Sequence, residues 1–172
     1  MKAKVGFGGG CHWCTEAVFD VLKGVHSVKQ GWIAPADEPN EFSEAVIVSY
    51  DPDVIETKNL VYIHLLTHAS ASMHSMRGKY RSALYSFSQE QHKELEKILG
   101  VLGERFEKKI ITQVVAFGKF KLSDEEYQKY YMKHATKGFC SNYIDPKFKK
   151  LLEKFAQNVD TEKLKRYKSA LL

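Results

Sequence analysis

Three consecutive glycines, Gly8, Gly9 and Gly10, run straight into two cysteines, Cys11 and Cys14, within the stretch VGFGGGCHWCTEAVF. Ahead of them Val5 and Phe7 alternate with smaller residues, the pattern of a short strand. Behind them HWCTEAVFDVLKG carries apolar residues at helical spacing and stops at Gly24. The stretch therefore predicts a strand, a glycine turn and a helix, with Cys11 at the junction. Glycine costs a regular element conformational entropy unless the backbone needs it, so the run implies that something approaches the main chain closely here.

A cysteine at a helix N-terminus meets unpaired N–H groups and the positive end of the helix dipole, both of which stabilise thiolate over thiol. That makes Cys11 the candidate nucleophile. Cys14 lies three positions on, near the same face; Trp13 adds an aromatic surface beside the thiol, and Glu16 a carboxyl about one turn further. The set suits an electrophile with a small apolar group to cradle and an oxygen to protonate. Taken singly, however, Glu16 reads as a solvated helix residue and Trp13 as core. The Cys-x-x-Cys spacing also leaves zinc and thiol redox chemistry open. A closed zinc site needs four ligands, for which the chain offers Cys11, Cys14, Cys140 and one of seven scattered histidines, without a second clustered pair.

The remaining elements follow from periodicity. VHSVKQGWI and EAVIVSYDP read as antiparallel strands across the turn-rich APADEPN, IETKNLVYIHLLTHA as a helix, and RSALYSF as a strand. SQEQHKELEKILGVLGERF is a helix with Ser88 as N-cap, IITQVVAF a strand, and SDEEYQKYYMKH opens with a capping-box pattern, Ser123 and Glu126. DPKFKKLLEKFAQ is a last helix, with Asp145 as cap and Pro146 in its first turn. This order predicts an α+β fold, a two-layer α/β sandwich in which helices cover a mixed central sheet, with a ferredoxin-like core.

At 172 residues the chain has the length of one domain. Residues 1–158 are expected to form a single catalytic domain and 159–172 a loosely held basic C-terminal extension. The net charge of +5 is local: from Lys147 onward there are eight Lys or Arg against three Asp or Glu, so residues 1–146 are neutral. With no recognition motif elsewhere, a nucleic-acid partner is not expected. Neither a secretory leader nor a membrane-spanning window is visible, which points to a cytoplasmic, monomeric protein with no membrane association. Three cysteines are too few for a disulfide framework, and a close pair in a reducing compartment indicates redox or metal chemistry.

GGGCHWCTEAVF resembles the signature of the peptide methionine sulfoxide reductase A family, Gly-Cys-Phe-Trp-x-x-Glu at the start of the first helix. EAVIVSYDP, YRSALYSF and GFCSNYIDPKFKKL are similar, in the same order, to further segments of that family, so the resemblance runs from about Val5 to about Phe155. It implies a cytosolic reductase of the S epimer of methionine sulfoxide, free or in oxidised proteins. It also implies that Cys11 attacks, Glu16 protonates the sulfoxide oxygen, Trp13 borders the methyl group and Tyr80 hydrogen-bonds that oxygen. A sulfenic acid on Cys11 would condense with Cys14 or with its rival Cys140, and thioredoxin would reopen the disulfide; no other cofactor and no metal is implied.

Three departures from the family pattern stand out. His12 replaces the phenylalanine of the signature and makes one pocket wall polar. Trp32 falls where the family has a tyrosine, offering an indole N–H instead of a hydroxyl. HASASMHSMRGKY differs from the Asp-x-Gly-Thr-x-Tyr region expected before Tyr80, and no aspartate aligns there. Glu44 matches a family glutamate, for which a structural hydrogen-bonding role is expected. An alternative to the enzyme is a catalytically impaired family member that serves as a thiol or zinc sensor.

Overall fold

Residue 25 begins an eleven-residue strand that holds two others together, and the fold is best followed from there. The structure, a computed structural model, describes residues 2–68, 70–73, 75–130, 133 and 145–169. Its strands are β1 (Ala3–Gly8), β2 (Val25–Pro35), β3 (Ser43–Tyr50), β4 (Ala83–Ser86) and β5 (Gln113–Leu122). The α-helices among the described residues are α1 (His12–Asp20), α2 (Thr57–Thr67), α3 (Gln89–Gly103), α4 (Asp145–Phe155) and α5 (Thr161–Ser169). β2 pairs antiparallel with β3, β3 with β1, and β1 with β4, which gives the order β4-β1-β3-β2 for the leading β-α-β-β-α-β run.

The α+β class and the mixed sheet covered by helices agree with the sequence; closure of that sheet is what the sequence does not indicate. β5 splits its pairing between the two free edges: Gln113–Ala116 run parallel to β4, and Phe117–Leu122 run antiparallel to β2. The sheet is thereby closed in the order β1-β3-β2-β5-β4. A register shift between Ala34 and Pro35 lets β2 turn toward β5, at a residue that has no N–H to give to a ladder. Close approach is the other requirement. A Cβ on Gly31 would lie 2.1 Å from the Lys121 carbonyl oxygen, so only glycine permits that stretch of β2–β5 pairing.

Alternation along the strands sorts the side chains. Val5 and Phe7 of β1 pair with Val48 and Val46 of β3, and all four are buried under the helices with Phe19, Leu60, Ile63 and Leu84. Ile33, Ala45, Ala83 and Tyr85 form a second, smaller cluster. Trp32 and Glu44 are directly paired across β2 and β3, and Glu44 shares the face of Val46 and Val48, so the carboxyl points toward α1.

Two further expectations change. The segment after Asp160 is a packed helix rather than a loose extension. Leu164 and Tyr167 lie three positions apart on one face and are buried in the main core, while Lys165 and Arg166 stay exposed. Tyr167 donates its hydroxyl to Asp20, and Lys163 Nζ donates to the carbonyls of Leu22 and Val25 at 2.9 and 2.7 Å, satisfying backbone acceptors beyond the end of α1. Ser123 does not cap a helix with Glu126. Its hydroxyl donates to Gln30 Oε1 at 2.8 Å, and a short 3-10 turn, Glu125–Tyr127, follows Asp124 instead. Ser88 does cap α3, accepting from the Gln91 N–H at 3.1 Å. No helix among the described residues is long and apolar enough to cross a membrane.

Gly31 and Gly100 give opposite predictions for the same substitution. Gly31→Ala forces the Lys121 carbonyl away and is expected to cost about 3 kcal/mol, a fall of roughly 6–12 °C in Tm for a chain of this size. Gly100, in α3, has no heavy atom within 4 Å of a built Cβ. Gly100→Ala is therefore expected to stabilise by about 0.8 kcal/mol through helix propensity alone, and paired thermal melts of the two variants check both signs.

Candidate active site

The first helix is buried on nearly every side. His12, Cys14, Glu16, Ala17, Val18 and Phe19 are all inside, so polar groups that an ordinary amphipathic helix would hold in water are desolvated here. Cys11 is the N-cap and half-buried, in the junction the sequence indicates. The turn before it is shaped by packing: Gly9 has φ of 145°, and a Cβ there would meet the His68 ring at 2.5 Å. His64 Nε2 donates to the Gly8 carbonyl at 2.8 Å and Arg77 donates to that of Gly9 at 2.9 Å. Gly10 is open by comparison, with only His68 Cβ nearby, at 3.9 Å.

The Cys11 thiol is held below its ordinary pKa. The largest cause is a hydrogen bond from the Cys14 side chain, and the backbone N–H groups of Trp13 and Cys14, the second and third of the helix, act in the same direction. Burial and the charge of Glu44 oppose them. Lys147 on α4 is half-buried and donates to the Thr67 carbonyl; burial lowers its pKa, against the opposing pull of negative charge on Cys14 and Cys11.

Around the thiol the structure collects Glu44, His12, Trp32, Tyr80 and Lys79. Glu44 is 6% exposed, and burial pushes its carboxyl up to about 6 against the counteracting Lys79 ammonium and a hydrogen bond from Tyr80. His12 Nε2 stands 3.1 Å from Glu44 Oε1. The Trp32 ring meets the His12 ring edge-on at 5.2 Å, and Lys121 Nζ lies 5.9 Å from the Trp32 ring. Lys79, exposed at the rim, sits 5.1 Å over the Tyr80 ring, and its charge is favoured first by a hydrogen bond with Tyr80 and then by Glu44.

Trp13 is half-buried in an aromatic stack, 3.9 Å from Tyr130 and 5.8 Å from Tyr127. Glu16 is 1% exposed rather than solvated, yet it does not join the group at the thiol. Five residues along an α-helix is ~140° of rotation, and that turns it away from Cys11. Its Oε1 accepts from Gln30 Nε2 and from the Tyr130 N–H, both at 3.3 Å. Burial raises its carboxyl to about 7, with Lys129 pulling it down and Asp20 pushing it up.

Of the candidate site residues Cys11, His12, Trp13, Cys14, Glu16, Trp32, Tyr80 and Cys140, the first seven lie in or beside α1 and the paired strands β2 and β3; Cys140 lies outside the described residues. Glu44, for which the sequence suggests a structural hydrogen-bonding role, is brought to the thiol by strand register, directly opposite Trp32. Lys79 was missed, and adjacency to Tyr80 was its only sign. Among the described residues no three His, Cys, Asp or Glu side chains are grouped to hold a metal ion.

With that geometry in place, comparison with known proteins is direct. Residues 3–160 match the family model described as peptide methionine sulfoxide reductase. The peptide methionine sulfoxide reductase MsrA of Sulfolobus acidocaldarius is 34% identical over 163 residues, covering 86% of this chain and 92% of that one. Mxr1 from Saccharomyces cerevisiae in reduced form superposes with a TM-score of 0.72 at 24% identity, covering 83% of this chain and 91% of that one. The structure of Mxr1 in complex with Trx2 superposes with a TM-score of 0.59 at 26% identity, over 75% of this chain and 84% of the other. The match spans both the strand-glycine-helix junction and the strands that bring Trp32, Glu44 and Tyr80 to it, and on that extent the chain belongs to the peptide methionine sulfoxide reductase family.

Proposed function

We propose that this protein reduces the S epimer of methionine sulfoxide, in oxidised proteins or free, with Cys11 as the attacking thiolate and Glu44 as the acid. The observation that carries this reading is a thiol held below its ordinary pKa beside a buried carboxyl held above its own. In this reading Glu44, with Tyr80 beside it, takes the acid role that the resemblance alone gave to Glu16. Trp13, His12 and Trp32 border the sulfoxide, and Gly10 leaves room for it against the backbone.

The steps balance as follows. The sulfoxide oxygen takes a proton from Glu44, which makes the sulfur electrophilic, and the Cys11 sulfur attacks it. In the adduct the oxygen passes with its proton to the Cys11 sulfur as its bond to the substrate sulfur breaks; the transient sulfur–sulfur bond also breaks, its electron pair staying with the departing methionine, and Cys11 is left as sulfenic acid. Cys14 condenses with it, forming a disulfide and releasing water. Its side-chain hydrogen bond to Cys11 and the nearby Lys147 charge support it as the resolving thiol over Cys140. A thioredoxin dithiol then reopens the disulfide by exchange, a role supported by the Mxr1 relative solved in complex with Trx2.

Single-turnover reduction of each sulfoxide epimer, without external reductant, tests this scheme. Cys11→Ser is expected to abolish methionine release, and only the S epimer is expected to react. Glu44→Gln should slow the step by about 10²–10⁴-fold, as loss of a general acid does, and Glu16→Gln by less than about tenfold. The reverse ranking would return the acid role to Glu16. Mapping the oxidised product is expected to find a Cys11–Cys14 disulfide; a Cys11–Cys140 bridge overturns that assignment.

Glu16 has its own signature in stability. Its carboxyl rises from 4.5 unfolded to about 7 folded, so the native state binds the extra proton between those values and stability falls as pH rises through that window. Glu16→Gln removes this dependence. Relative to wild type the variant should gain roughly 3 kcal/mol between pH 4.5 and pH 8, read from denaturant midpoints at the two pH values.

A further inference from the structure

His12 and Glu44 make a contact whose chemistry is set by a third group. His12 Nδ1 lies 2.8 Å from the Gly31 carbonyl oxygen. A carbonyl only accepts, so Nδ1 carries hydrogen. In a neutral ring that leaves Nε2 as a bare lone pair, and Nε2 is the atom 3.1 Å from Glu44 Oε1. Were Glu44 a carboxylate there, two acceptors would face each other between side chains only 4% and 8% exposed. The contact is attractive only when a proton lies between them. The ring cannot turn away without breaking the bond to Gly31, and the Trp32 ring packs against its edge.

We propose that His12 is a positioning residue that keeps the reaction's proton on Glu44: the pair holds one proton between Nε2 and Oε1 through neutral pH and surrenders it to the sulfoxide oxygen. The proposal rests on the reading of Glu44 as the acid. Burial drives His12 down to about 4 and Glu44 up to about 6, which keeps the ring neutral and the carboxyl as carrier. The other charged or titratable groups facing the pair are Lys79 and Tyr80, ahead of β4, Cys11, ahead of α1, and Lys121 of β5 beyond the Trp32 ring. Lys79 disfavours an imidazolium, while Lys79 and Tyr80 both favour an ionised Glu44. Against those two, the Nε2 lone pair favours the protonated acid.

The arrangement also reconciles two conflicting needs. A Glu44 carboxylate would raise the Cys11 pKa, whereas a proton kept on the pair leaves no net charge beside the thiolate. Nucleophile and loaded acid then coexist at one pH. When the proton leaves Oε1 for the sulfoxide oxygen, the carboxylate faces the Nε2 lone pair until the pair takes a proton from solvent.

The test is the pH dependence of single-turnover methionine formation in wild type and in His12→Phe, which restores the signature residue and deletes the acceptor. The high-pH fall in rate is expected about one pH unit lower in the variant, so that between pH 6 and pH 8 it loses about two- to sixfold more of its rate than wild type does. Coincident limbs, or a limb displaced upward, overturn the proposal. A measurement on the wild-type protein guards against a poorly folded variant: nitrogen NMR of the His12 ring at pH 7. It should find Nδ1 protonated and Nε2 as a hydrogen-bonded acceptor, with that signature lost in Glu44→Ala. A bare Nε2 or a doubly protonated ring overturns the assignment. A protein that binds sulfoxide without turnover would overturn the functional reading and leave the NMR result standing, whereas normal turnover with coincident limbs would remove only the role of His12.

Discussion

Desolvation of the first helix is the condition on which the rest of the chemistry depends. A nine-residue helix laid across β2 and β3, with α2 and α4 packed against it, leaves His12 and Glu16 out of water. Glu16 on the helix and Glu44 of β3 beside it both rise with burial, and the His12 imidazole falls. Cys11 alone moves against its own burial, because it occupies the one position where helix N–H groups and a neighbouring thiol converge on it. The same low-polarity surroundings thus favour uncharged carboxyls while a local cluster of donors favours an ionised thiol.

Closure of the sheet is what holds that helix at the right height. β5 bridges β4 and β2, which fixes the edge on which Trp32 stands, and Ser123 at its end reaches Gln30, which in turn reaches Glu16. The C-terminal helix completes the enclosure by supplying Lys163 to the carbonyls of Leu22 and Val25 and Tyr167 to Asp20. Its basic residues are the solvated face of a packed element. The glycines have two uses in this frame: Gly9 gives way to the His68 ring beneath the turn, and Gly10 leaves space at the thiol.

Much of this was legible in the chain. Strand, helix and cap signals placed β1, α1, β2, β3, α2, β4 and α3 in order, and Ser88 caps α3 as its position before a helical run requires. The errors share one cause. Ser123 and Glu126 satisfy the spacing of a capping box, but the serine hydroxyl finds Gln30, ninety-three residues away in the chain. Leu164 and Tyr167 look like sparse apolar residues in a basic tail until a groove beside α1 receives them. The acid we propose follows the same logic: Glu16 lies near Cys11 in sequence and away from it around the helix, whereas Glu44 is distant in sequence and adjacent across the fold.

Sequence alone determined that a cysteine would stand at a helix N-terminus behind a glycine turn, because strand, turn and helix signals act over a few residues and need no distant partner. Family membership was visible for the same reason, in short motifs whose order survives divergence. Which carboxyl lies beside the thiol, which nitrogen of His12 bears hydrogen and whether the sheet closes were decided only by tertiary structure. Those properties depend on burial and on pairing between strands far apart in the chain, and neither has a local signature.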